Sequence, residues 1–456
     1  MTTLRAGAAQ VDITPPLGTQ IAGDIGRRRP VEEIRDRIYA HALVLEMGER
    51  KICLLSLDLT IVNTFYATQI RQAAAERFGF EFGAVMVCAT QSHSSIALGH
   101  TFTEFETEHI PDDMRWLLGG DDAYHPLAVE RALEAIEQAS AQLQPVSVGA
   151  ASGIEARVAF NRRMVMRDGT AKTHPQTADP KIRHVEGPID PEVGVMCFRG
   201  EDGKTVAAIL HFTSHPNHGY PLRYISADWP GAWCDGTREI LGDTCVPLVF
   251  NGCCGNIHHT NHLDPHQVED ARAMGEMLTQ TTREIVPRIE YSAAEVLDWR
   301  SQMLPLPWRT IDSSVFENAH ALLKAHPTPQ WTDDTQTTVS WDWVYAVSLV
   351  DLEEQMRRAP HFDYEVQAFR IGDVALVALP GEPFVEGQLR LKIESPAYPT
   401  YVAHMANQYA GYIPTPQALA RGGYETNPGN WSKLLPQALD LIVDQSTKTL
   451  RELFCA

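Results

Sequence analysis

Four separated segments carry side chains that could together hold a metal ion. They are residues 89–94 (Ala-Thr-Gln-Ser-His-Ser), 215–219 (His-Pro-Asn-His-Gly), 380–384 (Pro-Gly-Glu-Pro-Phe) and 407–415 (Asn-Gln-Tyr-Ala-Gly-Tyr-Ile-Pro-Thr). Each follows or interrupts an apolar run and puts a nitrogen or oxygen donor at its end. Imidazole nitrogen and carboxylate oxygen are ordinary zinc donors. Taken singly, each has an ordinary structural role. A histidine at a strand end is usually packed. Glu382 fits the N-terminus of a helix over 384–393, and Tyr409, Tyr412 and Tyr424 fit packing positions. A carboxylate at the mouth of a buried strand must nevertheless be paired, metal-bound or solvated. The joint presence of the four segments, in this order, is what points to a site.

Such donors need strands to aim them. Apolar runs at 42–47 and 52–57 flank Gly48-Glu49-Arg50 and predict a hairpin. Residues 84–89 read as a strand buried on both faces, and 146–151 and 247–250 as further strands. A second hairpin is predicted from 193–198 and 206–212, and a third from 366–380, turned at Gly372-Asp373. Helical spacing marks 65–77, 125–143, 267–287, 313–325, 348–358 and 434–454, with Pro126 in the first turn of the second and Pro145 just past its end. The polar stretch 165–191 reads as a long irregular loop, the kind that carries function in a compact enzyme. Hairpins mixed with crossovers predict an α/β protein with mixed β-sheets and flanking helices. No linker divides the chain, so one domain is expected over 1–456.

Composition narrows the class. Of 456 residues, 44% are apolar and 21% charged, as in an ordinary globular enzyme. The net charge of −20 argues against nucleic acid and against anionic lipid surfaces. No stretch reaches the roughly 18 uninterrupted apolar residues of a membrane span, and the first residues contain no long apolar core of a signal peptide. The eight cysteines include the vicinal pair Cys253-Cys254 and no CxxC. Reduced, mostly buried thiols in a cytoplasmic protein are the expectation.

Together the segments resemble the neutral/alkaline non-lysosomal ceramidase family, zinc-dependent amidases that cleave N-acyl-sphingosine. The resemblance starts at Ala-Gly-Ala-Ala-Gln-Val-Asp-Ile-Thr-Pro-Pro-Leu-Gly (6–18) and continues at 38–45 and 56–59. It resumes at Phe160-Asn161-Arg162-Arg163, at 211–231, at 251–257, at Pro380-Gly381-Glu382 and at 407–425. It implies the fold of the family's catalytic domain, without the additional C-terminal β-domain. It also implies one zinc ion bound by His215, Glu382 and the unusual ligand Tyr412, with Tyr424 and Arg162 contacting substrate.

Two departures bear on the chemistry. Where the family has Thr-His-Thr-His-Ser, this chain has Thr90-Gln91-Ser92-His93-Ser94, so the position of a zinc-binding histidine holds Gln91. Glutamine is a poor zinc ligand beside neutral imidazole. Three outcomes stay open: His93 takes part in metal binding, another residue such as His218 completes the sphere, or affinity is lost. Residues two apart in an extended strand face the same side, so His93 is expected to share Gln91's cavity. The second departure puts His258 where the family's proposed serine nucleophile stands, and Ser94 and Ser226 lack the context of an activated hydroxyl. His258, with His259 and His262, reads either as an acid/base, substrate or metal group or as part of a polar loop. Asp228 reads either as a helix N-cap or as a carboxylate that orients or deprotonates water.

The expected protein is a metal-dependent hydrolase that cleaves an amide, ester or lactone bond in a small polar substrate through metal-activated water. Its expected site residues are Asp228, His93, Tyr424, Arg162 and His258 for catalysis, and His215, Glu382, Tyr412 and His93 for metal. A non-catalytic binding protein that kept the pocket, or a metal-dependent lyase or isomerase acting on a sugar-like acid, are the alternatives. Oligomeric state is left open.

Overall fold

The computed structural model describes residues 3–267 and 270–455; Val268 and Glu269, near the start of the helix expected at 267–287, lie outside them. Eight strands build one sheet: β1 (Arg5–Asp12), β2 (Tyr39–Met47), β3 (Arg50–Leu57), β4 (Val85–Ala89), β5 (Gln144–Ile154), β6 (Glu192–Gly200), β7 (Thr205–Phe212) and β8 (Val246–Asn251). Their spatial order is β8-β7-β6-β5-β1-β2-β3-β4. Four more form a second sheet in chain order: β9 (Leu297–Pro307), β10 (His361–Ile371), β11 (Val374–Ala378) and β12 (Thr400–Ala403). The pairs β3/β4, β7/β8 and β11/β12 are parallel, each against otherwise antiparallel neighbours. The sheets are therefore mixed, as the hairpins and crossovers predict.

The period of two along each strand sorts its side chains into layers. Ala6, Ala8, Leu43, Leu45, Ile52, Leu54, Met86 and Cys88 point inward and meet Phe369, Leu376 and Tyr401 of the second sheet. Strands β1 and β5 share only two residue pairs. Inner-face residues of β5–β8, such as Val148, Phe198, Ile209 and Phe250, join the same cluster. Ser56 Oγ of β3 donates to Val249 O of β8 at 2.8 Å, so the two halves of the large sheet meet face to face.

Helices cover the outer faces. Helices α1 (Thr64–Phe78) and α2 (His125–Ala141) pack on β1–β4. Helices α3 (Asp228–Leu241) and α4 (Ala271–Ile285) pack on β6–β8. Helices α5 (Ser313–Ala325), α6 (Trp341–Arg358), α7 (Val385–Glu394) and α8 (Ala438–Phe454) gather on the second sheet. Strands covered on both sides must be apolar on both faces, which is why 84–89 has no polar residue. All eight cysteines are free and seven are buried. Among the described residues no helix is long and apolar enough to cross a membrane.

Three expectations need correction. The stretch 165–191 contains a small three-stranded sheet, Arg163–Met166 between Ala171–Thr173 and Ile182–Val185. Its central strand is buried while Lys172, Arg183 and His184 are exposed, so its composition reads as loop. Helix α6 starts at Trp341 rather than 348, because Trp343, Val344, Ala346 and Val347 form its buried face within a polar segment. Strands β1, β9 and β12 were not expected; β9 is an edge strand whose Arg300-Ser301-Gln302 stretch is only partly buried.

Two buried imidazoles far apart in the fold predict acid lability. Burial, then the nearby His100, pushes His125 down to about 4. Burial, then Lys392, pushes His211 down to about 3. Both lie below the ordinary histidine value, so their contribution is fully present above about pH 6.5 and is lost as pH falls toward those values. Stability at pH 5 should fall by about 2 kcal/mol per imidazole relative to pH 7. Urea unfolding at the two pH values measures this, and an unchanged midpoint would refute it.

Candidate active site

The ends of several strands are tied together by one side chain. Asn251, the last residue of β8, donates from Nδ2 to Thr90 O (3.1 Å) and Ser214 O (2.9 Å). Its Oδ1 accepts from Ser214 N at 3.2 Å, and its backbone O accepts from His404 N at 3.0 Å. The termini of β4, β7, β8 and β12 are thus brought to one place. Strand β11 arrives through Gly381, whose φ of +72° and close approach to Gly411 O admit no side chain. Glu382-Pro383 then pairs in parallel with Tyr412-Ile413, which sets Glu382 beside Tyr412.

His215 is the most constrained group. Its Nδ1 lies 2.6 Å from Cys254 O and 3.0 Å from Ile257 O. Carbonyls only accept, so the proton is on Nδ1 and the Nε2 lone pair faces Glu382 Oε2 at 3.2 Å. Two facing acceptors need a proton or a cation between them. Burial raises Glu382 above the usual carboxylate range against the opposing pull of Arg162. Burial, then Arg162, drives His215 well below the usual imidazole value.

His93 repeats the pattern. Its Nδ1 donates to Gly23 O at 3.1 Å, and its Nε2 is buried without a partner. Gly23 has a φ of +82°, and a Cβ there would lie 2.5 Å from His93 Nδ1. The His93 and His215 ring centroids are 5.7 Å apart. Burial, then His215, pushes His93 down to about 3, so both imidazoles are neutral donors.

Arg162 supplies the positive charge. Its guanidinium donates to Glu425 Oε1 (2.9 Å), Gly255 O (2.7 Å) and Tyr412 Oη (3.2 Å). Arg163 and Thr173 each donate to Glu425 Oε2 at 2.6 Å. These groups open on a cavity of about 370 Å³ with Gln91, His93, Arg162, Glu382 and Tyr412 on its polar side and Tyr220, Trp341, Tyr424 and Trp431 among its aromatic walls.

The structure therefore brings together His93, His215, Glu382, Tyr412, Tyr424 and Arg162. Asp228 lies elsewhere: its carboxylate accepts from His218 N (2.9 Å), His218 Nδ1 (2.7 Å) and Trp229 N (2.7 Å), and it borders a second cavity. His218 is consequently turned to Asp228 rather than to the cavity of Glu382. His258 stands one ring behind the wall, with its ring centroid 4.4 Å from that of His174, which lines the cavity. His174 and His404 were not singled out from the sequence, Tyr409 was read as a packing residue, and Cys254 was read only as one of a vicinal pair of buried thiols. His404 follows the apolar run 400–403, the same strand-end signal that marks His215 and Glu382.

The donor set suits a zinc ion in chemistry: a carboxylate, a phenol oxygen and two neutral imidazoles with free Nε2 lone pairs. Among the described residues, no three His, Cys, Asp or Glu side chains form a ready metal cage. Replacing His93 with Ala should lower kcat/KM by about 10–100-fold, and by more than Gln91→Ala does. Steady-state kinetics on both variants check the ranking, and the reverse order would place His93 outside the chemistry.

The fold is that of solved ceramidases. The crystal structure of neutral ceramidase from Pseudomonas aeruginosa superposes with a TM-score of 0.73 at 19% identity, covering 100% of this chain and 75% of that one. A ceramidase complexed with C2 gives 0.72 at 19% identity, covering 99% and 75%. No protein-family model and no curated protein sequence matches the chain. The chain thus has a neutral ceramidase-like α/β fold.

Proposed function

We propose that this protein is a metal-dependent hydrolase that cleaves an amide, ester or lactone bond in a small polar substrate. The observation that carries this is the His215–Glu382 pair, two acceptors 3.2 Å apart beside a cavity of about 370 Å³. His215 and Glu382 would hold one zinc ion, with Tyr412 and His93 as further donors. The ion would supply Lewis-acid polarisation of the scissile carbonyl and an acidified water.

The chain's own residues do the rest. Buried Arg162 is a fixed cation beside the Tyr412 hydroxyl and suits the oxyanion that develops as the carbonyl is attacked. Tyr424, on the same wall, adds a hydroxyl donor from a side chain that is 37% exposed. The aromatic walls would orient the substrate's non-reacting part. A cavity of this volume is at the small end of ligand sites, which favours a short substrate.

A second reading, a binding protein that kept the pocket, draws support from Gln91, which lines the same cavity as Glu382 and stands where the resembled family has a zinc-binding histidine. Metal analysis separates the two when combined with turnover on short N-acyl amines, esters and lactones. The expected result is about one zinc per chain and hydrolysis that a chelator abolishes and zinc restores. Metal binding without turnover of any substrate class would favour the second reading. Full hydrolysis by metal-free protein would end the first.

A further inference from the structure

A side cavity adjoins the reaction cavity. Its volume is about 340 Å³ against about 370 Å³, and His100, Glu104 and Glu106 help to make its lining polar. Three stretches of chain run between the two and turn neighbouring residues to opposite sides. Thr101, Gly119 and Trp431 line the reaction cavity, whereas Thr103, Leu118 and Asn430 line the side cavity. Hydrogen bonds stitch these stretches together. Thr101 N and Phe102 N donate to Leu118 O at 2.8 and 3.2 Å, and Asn430 Nδ2 donates to Thr101 O at 3.2 Å. Among the described residues only Tyr409 lines both cavities. At that point the partition is a side chain rather than backbone.

We propose that Tyr409 sets the length of the substrate: its ring closes the reaction cavity, and a longer substrate group needs the space behind it. This rests on the hydrolase reading above and names the residue that keeps the substrate short. The chain is pinned on both sides of the ring. Asn407 Oδ1 accepts from Val87 N at 3.0 Å, and its Nδ2 donates to Gln367 Oε1 at 2.8 Å. Gln408 Oε1 accepts from Glu365 N at 2.9 Å, and its Nε2 donates to Asp363 O at 3.0 Å. Beyond the ring, Tyr412 N donates to Trp431 O at 2.7 Å. Tyr409 itself packs against the apolar core under α1 and α2. A group that reaches the ring must therefore displace packed atoms, which costs more than its extra methylenes gain. Removing the ring joins the two spaces and about doubles the room for the substrate.

Two series of amides read the limit, because either side of the scissile bond can face Tyr409: N-acyl-ethylamines from acetyl to octanoyl, and N-acetyl-alkylamines from ethyl to octyl. The readout is kcat/KM for the longest member over the shortest within one protein, so a change in overall activity cancels. In at least one series wild type should disfavour the longest member by at least about 10-fold. Tyr409→Ala should raise that ratio by at least about 10-fold, and Tyr409→Phe, which keeps the ring, should hold the wild-type ratio. Circular dichroism follows folding, and Tyr409→Leu takes the place of the alanine variant if that one unfolds. Glu104 and Glu106 supply a marker for the side cavity: in Tyr409→Ala a long group ending in an ammonium should outpace one ending in a carboxylate by about threefold. An equal or reversed preference puts the long group elsewhere and overturns the use of that cavity. Unchanged ratios in Tyr409→Ala in both series overturn the proposal and leave hydrolysis standing. A ratio raised equally in Tyr409→Phe overturns it too, since the hydroxyl rather than the ring would set the limit. If no protein hydrolyses any amide, the hydrolase reading falls. The partition is then judged by thermal shift with alkanoates and alkylamines of the same lengths, and an unchanged length ranking in Tyr409→Ala removes it as well.

Discussion

Replacing Glu382 with alanine is expected to strip the metal and to lower kcat/KM by at least about 10³-fold. Glu382 is the only carboxylate within hydrogen-bond distance of His215 Nε2 among the described residues. It is 4% exposed and lines the cavity. Its loss leaves the His215 lone pair facing an empty space and deprives Tyr412 and Arg162 of the negative charge beside them. Elemental analysis, circular dichroism and kinetics on the purified variant provide the check. A folded Glu382→Ala protein with full metal content and undiminished turnover would remove the site from consideration. His215→Ala should give the same phenotype.

The second large effect is on stability. Glu425→Ala should destabilise the protein by about 3–5 kcal/mol, because two buried arginines would lose their shared carboxylate. Glu425 is fully buried; one oxygen takes Arg162 and the other takes Arg163 and Thr173. Burial raises its pKa, but Arg162 and Arg163 outweigh that and hold it below the usual glutamate value. A group lowered on folding contributes stability that is complete above its unfolded value, about 4.5, and is lost as pH falls through the folded value. Chemical denaturation at pH 7 tests the substitution, and Glu425→Gln, which keeps the shape, should lose most of the same stability. A variant as stable as the parent would show that the arginines find other partners.

The strand-end rule made the heart of the site legible. Apolar runs ending at Phe212 and Leu379 mark His215 and Glu382 because a buried strand can release a polar side chain only at its mouth. The same rule at 400–403 marks His404, but one histidine after a short run carries no weight until its contact with Cys254 is known. His93 does share the cavity with Gln91, but not through period-two alternation: strand β4 ends at Ala89 and Gln91 has a φ of 71°, so a turn rather than an extended strand brings both side chains there. Asp228 illustrates the limit. Its neighbours in sequence suggest a cap or a catalytic carboxylate, whereas its partner His218 is chosen by a backbone φ of 57° that sequence does not reveal. The small sheet around Arg163–Met166 was hidden for a different reason. Its strands are short, the outer two interleave polar residues, and Arg163 of the central strand is held by Glu425 from 262 residues away.

The cavity wall draws on residues from Gly23 to Trp431 and on strand ends of both sheets. A ligand bound there is therefore coupled to the folding of the whole chain rather than to one lobe. Any occupant should stabilise the folded chain by RT ln(1 + [L]/Kd), about 2.7 kcal/mol at a hundredfold excess over Kd, and raise the melting temperature accordingly. That linkage offers a way to search for the substrate before any turnover is known. Libraries of small amides, esters and lactones can be ranked by thermal shift on the intact protein, and a shift that vanishes in Arg162→Ala, measured against that variant's own baseline, would mark occupants of this cavity.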